Sequence, residues 1–297
     1  MTNTGPLIVA VHDGTFHTDD VFACATVSLA FPDRELEIIR TRDEASIAAA
    51  DIVVDVGGTY DPARFRFDHH QKETAGARPN GIPYASFGLV WKEFGHVLTG
   101  SVESATFIDE QLIQNIDGAD NGALDRVADK GVYAYTIGDM ISALRPTWQE
   151  HTDMHEAFMS AVNVAIGILE RAIAHTKAYA NARVILEKAY DDAADKRIID
   201  IGLEYPGWKE MTTSHPEPLF VIYRRDDGNW TVKAVPINVG EFANRLPFPE
   251  SWAGLRGVQL EQASRVPGAI FCHNGRFIAV ANSREGALKL AQNAINA

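Results

Sequence analysis

Between Leu7 and Val56 the chain alternates short unbroken apolar runs with segments that are apolar at helical spacing, and nothing else in it constrains the fold as strongly. LIVAV (Leu7 to Val11) reads as a buried strand, and DDVFACATVSLAFP after it keeps a helical period until Pro32. ELEIIR, ending at Arg40, and IVVDV, from Ile52 to Val56, read as further strands, with RDEASIAAA helical between them. The order β-α-β-α-β predicts a parallel, Rossmann-like sheet covered by helices. Gly57-Gly58 closes the third strand, RFRFD gives a fourth extended piece, and helices are predicted over Ser86 to Gly95 and Glu103 to Ile116.

At 297 residues the chain exceeds the usual size of one domain, so two are expected. The first spans residues 1–150. Residues 151–200 form a helical connector, Ala-rich and almost free of Gly and Pro. Residues 201–297 form a smaller α+β domain, antiparallel because Asp227-Gly228 and Asn274-Gly275 each sit between alternating runs as hairpin turns. Asn282, with Glu285 three residues on, is expected to start a closing helix.

A formal net charge of -13 argues against a sequence-independent grip on long duplex nucleic acid. Cys24 and Cys272 are the two cysteines and form no CxxC pair, which fits a reducing, cytoplasmic setting. MTNTGPLIVAV has no basic residue before its apolar run, and no later run approaches the ~18–20 apolar residues of a membrane helix, so neither a leader nor membrane insertion is expected.

Chemistry concentrates at the strand ends. HDGTFHTDD after the first strand offers His12, His17, Asp19 and Asp20; Asp55 ends the third; Asp68, His69 and His70 follow the fourth. In a parallel α/β sheet ligands collect beyond the carboxyl ends of the strands, so these segments share one rim. DGADNG adds Asp117 and Asp120 at a helix C-terminus, where the macrodipole disfavours negative charge and a cation would offset it. Taken singly, Asp55 is a strand-end turn residue, and Asp117 or Asp120 a turn former beside glycine. The coincidence carries the reading: of ten histidines, four fall at two strand ends, each beside Asp. His151 and His155, at helical spacing, read instead as a solvated helix face. A His/Asp set without thiolate suits Mn²⁺, Mg²⁺, Fe²⁺ or catalytic Zn²⁺. The carboxylates exceed the needs of one cation; two, about 3.5–4 Å apart, would use them all and supply a hydroxide at neutral pH.

The order of these motifs is similar to that of the DHH phosphoesterase superfamily. HDGTFHTDD, VVDVGGTYDP, RFDHHQ and NIDGADNG together resemble the MYG1 family (the UPF0160 group), and FANRLPFPESWAGLRG, FCHNGRF and REGALKLA extend the resemblance over nearly the whole chain. It implies a DHH-type catalytic first domain with two Mn²⁺ or Mg²⁺ ions held by His12, His17, Asp19, Asp55, His69 and an Asp of DGADNG, Asp117 or Asp120. His70 is implied as a ligand's neighbour or a catalytic acid, and Asp68 either orients the histidine pair or bridges the metals. Asp13 stands where the family commonly has Asn, and Asp20 where it commonly has Glu. Where a Gly-rich phosphate cradle would be expected near the C-terminus, the chain reads RFIAV, with Arg276 to offer charge instead.

The residues together with the resemblance imply a two-metal phosphodiesterase, and the resemblance implies an exonuclease on short single-stranded RNA or oligonucleotides, with Arg245, Arg256, His273 and Arg276 of the smaller domain expected to touch phosphate or base. A small-molecule phosphohydrolase would use the same metals, and a non-catalytic, metal-dependent binding protein would keep them without turnover. A metallopeptidase fits less well, because no HExxH pattern is present. A homodimer is the one assembly allowed for.

Overall fold

In a computed structural model, which describes residues 5–72 and 74–297, the N-terminal alternation folds as its periodicity requires. Strand β1 (Leu7–Val11) runs into helix α1 (Thr18–Ala30), then β2 (Leu36–Arg40), α2 (Glu44–Ala49) and β3 (Ile52–Val54). Two short strands follow, β4 (Tyr60–Asp61) and β5 (Arg66–Phe67). The sheet order is β2-β1-β3-β5-β4, parallel except for β4 at the edge. Leu7, Val9 and Val11 of β1 face one core with Phe22, Val54 and Phe67, while Ala10 faces a second with Val53 and Val56. That alternation, apolar on both faces, is what a strand covered on both sides requires.

Because β2 and β3 flank β1 on opposite sides, the chain reverses direction across the sheet at the carboxyl end of β1. A crevice opens there, between the residues that follow β1 and β3. His12 follows β1 directly, and Asp55 follows β3.

Helix α3 (Ser86–Thr99) packs on α1, and α4 (Val102–Ile108) continues through one π-helical turn (Asp109–Ile113) into α5 (Gln114–Asp120). The helical path therefore does not end at Ile116: Asp117 lies within α5 and Asp120 closes it. A small hairpin of β6 (Ala128–Asp129) and β7 (Val132–Tyr133) precedes α6 (Ile137–Ser142).

Residues 151–200 hold one continuous helix, α7 (Met154–Asp192). The chain divides into two compact units, Met1–Lys177 and Ala178–Ala297, inside this helix. By length and composition alone α7 could cross a membrane, against the expectation from the sequence. Its Phe158, Ala161, Val162, Ala165 and Leu169 are spent on the core of the first unit, and Leu186 on a core of the second.

The second unit continues with β8 (Ile198–Leu203), α8 (Trp208–Ser214), β9 (Phe220–Arg224), β10 (Trp230–Ala234), α9 (Gly257–Ser264), β11 (Ala269–Cys272), β12 (Ile278–Ala281) and α10 (Arg284–Ile295). Its sheet runs β11-β12-β10-β9-β8, with both hairpins antiparallel at Asp227-Gly228 and Asn274-Gly275. The β8–β9 pair is parallel, because α8 carries the chain back between them. Ser283, not Asn282, caps α10, accepting the Gly286 N–H at 3.1 Å. Met1–Thr4, and with them the start of the N-terminal stretch, lie outside the described residues, as does Glu73.

Candidate metal centre

The centre of the cluster is Asp55. Leaving β3, it adopts a left-handed backbone with φ 56°, which turns the chain and sends its carboxylate into the crevice. Its Oδ2 lies 3.3 Å from His12 Nε2, and its Oδ1 lies 3.3 Å from His69 Nε2 and accepts from Ser86 Oγ at 3.0 Å. The two oxygens thus serve two separate histidines.

His12 is 5% exposed, and its Nδ1 is 2.7 Å from the Asp13 carbonyl. A carbonyl can only accept, so Nδ1 carries the hydrogen and Nε2 is the nitrogen turned to the cluster. Metal-binding imidazoles are commonly held this way. Asp20 completes that side: its Oδ1 accepts the His17 N–H at 2.9 Å, closing the first turn of α1, and its Oδ2 lies 3.0 Å from His12 Nε2. Asp20 is fully buried, although it is not among the ligands that the resemblance implies.

Asp68 anchors the histidine pair. Its Oδ1 accepts the backbone N–H of His69 (2.7 Å), that of His70 (3.1 Å) and His70 Nδ1–H (2.7 Å), while Oδ2 accepts the Gly58 N–H at 2.5 Å. Both oxygens are occupied, which favours the orienting role over the bridging one. His69 is then directed inward, with Nε2 3.3 Å from Asp120 Oδ2 and 3.9 Å from Asp19 Oδ2. His70 is directed outward and its side chain is 61% exposed, with Nε2 left open.

Three donor sets converge closely enough to hold a cation: His12, His17 and Asp55; Asp55, His69 and His70; and His17, Asp19 and Asp120. Asp55 and His17 are each shared between two sets. The residues fit divalent cations on a second ground, since His12 Nε2, His69 Nε2, Asp20 Oδ2 and both oxygens of Asp19 are buried without a hydrogen-bond partner. Buried polar atoms without partners are rare, and here they converge on one space with hard oxygen and imidazole donors.

The electrostatics follow. Burial pushes the Asp19 carboxyl well above its usual range, and Asp55, Asp120 and Asp20 push it further. Burial likewise raises Asp20, against the opposing pull of His12. Burial would lower His12, but Asp20 and Asp55 outweigh it and bring the imidazole up to about 10. His69 is raised for the same reason, burial being outweighed chiefly by Asp55. Burial would raise Asp55, yet His12 and His69 hold it below the usual carboxylate range. In the cation-free protein, the proton on His12 stands where metal charge would stand.

Beside the cluster lies a cleft of about 620 Å³ lined by His12, His17, Asp55, Asp68 and His70, by Gly57 and Gly58, and by Arg42, which pairs with Asp13 at 2.9 Å. Arg42 escaped the sequence reading because a lone exposed arginine before a helix carries no signal.

Two of the expected site residues are placed elsewhere. Asp117 is fully buried and faces Arg78 at 2.8 Å, so Asp120 is the member of DGADNG that reaches the cluster. Arg245 donates to the carbonyls of His215 (2.7 Å), Pro218 (3.1 Å) and Thr213 (3.3 Å), which makes it a strut within the second unit. Arg256 lies 4.3 Å over the Phe271 ring, His273 Nδ1 accepts the Gly275 N–H at 2.9 Å, and Arg276 sits in the hairpin turn with φ 57°. His151 lies before α7 and His155 in its exposed first turn, and neither belongs to a metal-holding group found among the described residues.

Comparison with known proteins gives a family match over residues 8–295, to an uncharacterised protein family, UPF0160 (MYG1_exonuc). The rat protein named MYG1 exonuclease (Rattus norvegicus) is 36% identical over 320 residues, spanning 97% of this chain and 84% of the relative. The human protein of the same name is 34% identical, with 97% and 85% covered. The MYG1 protein of Dictyostelium discoideum is 32% identical, with 98% and 97% covered. Among solved structures, RecJ from Thermus thermophilus in complex with Mn²⁺ aligns at 13% identity and TM-score 0.26. That alignment covers 98% of this chain and 52% of RecJ, a likeness too slight to bear on fold or function.

Proposed function

The chain belongs to the UPF0160 (MYG1) family, and from that membership and the cluster we propose that it is a metal-dependent phosphodiesterase, an exonuclease that shortens RNA or short oligonucleotides. The observation that carries the reading is the convergence of unpartnered buried donors on both sides of Asp55. The names of the rat and human relatives support the substrate class.

Two divalent cations, Mn²⁺ or Mg²⁺, would supply a hydroxide and polarise the phosphoryl oxygens. His12 and Asp20 would serve one side of Asp55, His69, Asp19 and Asp120 the other, and His17 either of them. Asp68 fixes the His70 ring through Nδ1, which supports a role in which His70 Nε2 would hand a proton to the leaving oxygen. Arg42, on the cleft wall, can exchange its Asp13 partner for a substrate phosphate. A part for Arg256, His273 and Arg276 in binding substrate is proposed as well. A cleft of this size with one lining arginine suits a strand end better than a long duplex.

Incubation with Mn²⁺ and short RNA labelled at the 3′ or 5′ end tests the reading. Stepwise shortening from one end is expected. Undegraded RNA beside a fully loaded metal site overturns it, and phosphate release from pyrophosphate or nucleotides alone reassigns the site to small phosphates.

A further inference from the structure

Asp117 is a fully buried carboxylate that the chemistry above leaves unused. Its Oδ1 accepts the Gly88 N–H at 3.1 Å, one of the first-turn N–H groups of α3 that have no partner within that helix. Its Oδ2 pairs with Arg78 Nη2 at 2.8 Å. Arg78 is buried too: Nε donates to Asp109 at 2.8 and 3.1 Å, Nη2 donates to Asp109 Oδ1 at 2.6 Å, and the guanidinium lies 4.2 Å from the Tyr84 ring centre. One arginine therefore grips the helical path at two points, Asp109 at the start of the π-helical turn and Asp117 beyond its end.

The π-helical turn makes that double grip geometrically available. In an unbroken α-helix, positions 109 and 117 would point about 80° apart, at about 100° per residue. A π-turn absorbs one extra residue and brings them to within roughly 20°. Gly88 is the complementary feature on α3, because a Cβ there would stand 1.9 Å from Asp117 Oδ2 and 2.7 Å from Arg78 Nη2. Asp120 follows on the same short helix, about 60° around from Asp117, and reaches His69 at 3.3 Å.

We propose that Arg78, Asp109 and Asp117 form a buried brace that sets the rotation of α5 and so aims Asp120 into the cation cluster. They are positioning residues: none touches the cluster, and each acts through Asp120. This rests on the reading of Asp120 as part of a cation site.

Titration calorimetry of the full chain with MnCl₂ tests the brace in the variants Arg78→Lys and Asp109→Asn. Lysine keeps the charge and loses the fork that spans both carboxylates. Asp109→Asn loosens the brace at its far end and leaves the Arg78–Asp117 pair in place, so it carries the test if Arg78→Lys does not fold. Mn²⁺ affinity is expected to fall about 10–100-fold in the folded variants, as when the partners that orient metal ligands are removed. A destabilised control, Phe158→Leu in the core of the same unit, should melt earlier and keep its affinity. Either brace variant, folded and binding Mn²⁺ within about twofold of wild type, overturns the proposal. A wild-type chain that binds no Mn²⁺ overturns the cation site itself, and the brace with it.

Discussion

Replacing Asp19 by Asn should stabilise the protein and disable it at once. Asp19 is 1% exposed, no donor reaches either oxygen, and burial together with Asp55, Asp120 and Asp20 raises its pKa. A buried acceptor without a partner costs about 1–3 kcal/mol, and more when charged. The amide removes the charge and offers hydrogens to Asp55 or Asp120. In EDTA, Asp19→Asn is therefore expected to gain about 1–3 kcal/mol, which at about 2–4 °C per kcal/mol is a rise in Tm of roughly 2–12 °C. The sign of the pH dependence follows from the raised pKa. The contribution of Asp19 to stability is complete below its ordinary carboxylate pKa and is lost as pH rises through the folded value, so the variant's advantage grows with pH. Added Mn²⁺ reverses the order. Wild type gains about 2.7 kcal/mol at a hundredfold excess over Kd, and a variant short of a ligand gains little. Thermal melts in EDTA and in MnCl₂ read both effects. A variant that melts at or below wild type in EDTA, or that shifts with Mn²⁺ as far as wild type does, refutes the reasoning.

With its pKa raised to about 10, His12 is protonated at neutral pH in the cation-free protein, so Mn²⁺ binding should expel at least one proton and tighten as pH rises. Calorimetry in buffers of differing ionisation enthalpy counts those protons, and a count of zero contradicts the assignment. Asp68→Ala leaves the N–H groups of Gly58, His69 and His70 without their acceptor and should weaken Mn²⁺ binding about 10–100-fold; unchanged affinity would rule out its orienting role. Gly88→Ala drives a methyl group against Asp117 and should cost at least about 1–3 kcal/mol in a denaturant melt, whereas wild-type stability would mean α3 and α5 can separate freely. Arg42→Ala should raise KM for oligonucleotides about tenfold, the equivalent of one lost charge-assisted hydrogen bond, with kcat little changed; an unaltered KM would take Arg42 out of the substrate path.

The parallel half of the fold was legible because β1 and β3 are unbroken apolar runs and α1 keeps a helical period up to Pro32. The cluster was legible for a related reason. A parallel sheet delivers its strand ends to one rim, so residues from 12 to 70 could be grouped without coordinates. What escaped depended on contacts that leave no periodic trace. A π-turn has no signature in the hydrophobic pattern, so the sequence ends the helical path at Ile116 and does not distinguish Asp117 from Asp120. The partner that separates them, Arg78, is distant in sequence. Arg245 looked like a free cation because the carbonyls it serves lie about thirty residues earlier. Asn282 and Ser283 are adjacent residues of equal capping ability, and the choice between them rests on the backbone rather than on side-chain chemistry.

The left-handed backbone of Asp55 limits what can replace it. Asn and Gly tolerate a φ of 56° about as well as Asp does, but neither brings a carboxylate. Glu brings the carboxylate, at a methylene's greater reach and without the short side chain that makes this conformation accessible. Exchange to Asn or Gly at position 55 thus gives up the charge, and exchange to Glu gives up the short reach and the ease of the turn, so Asp alone combines all three.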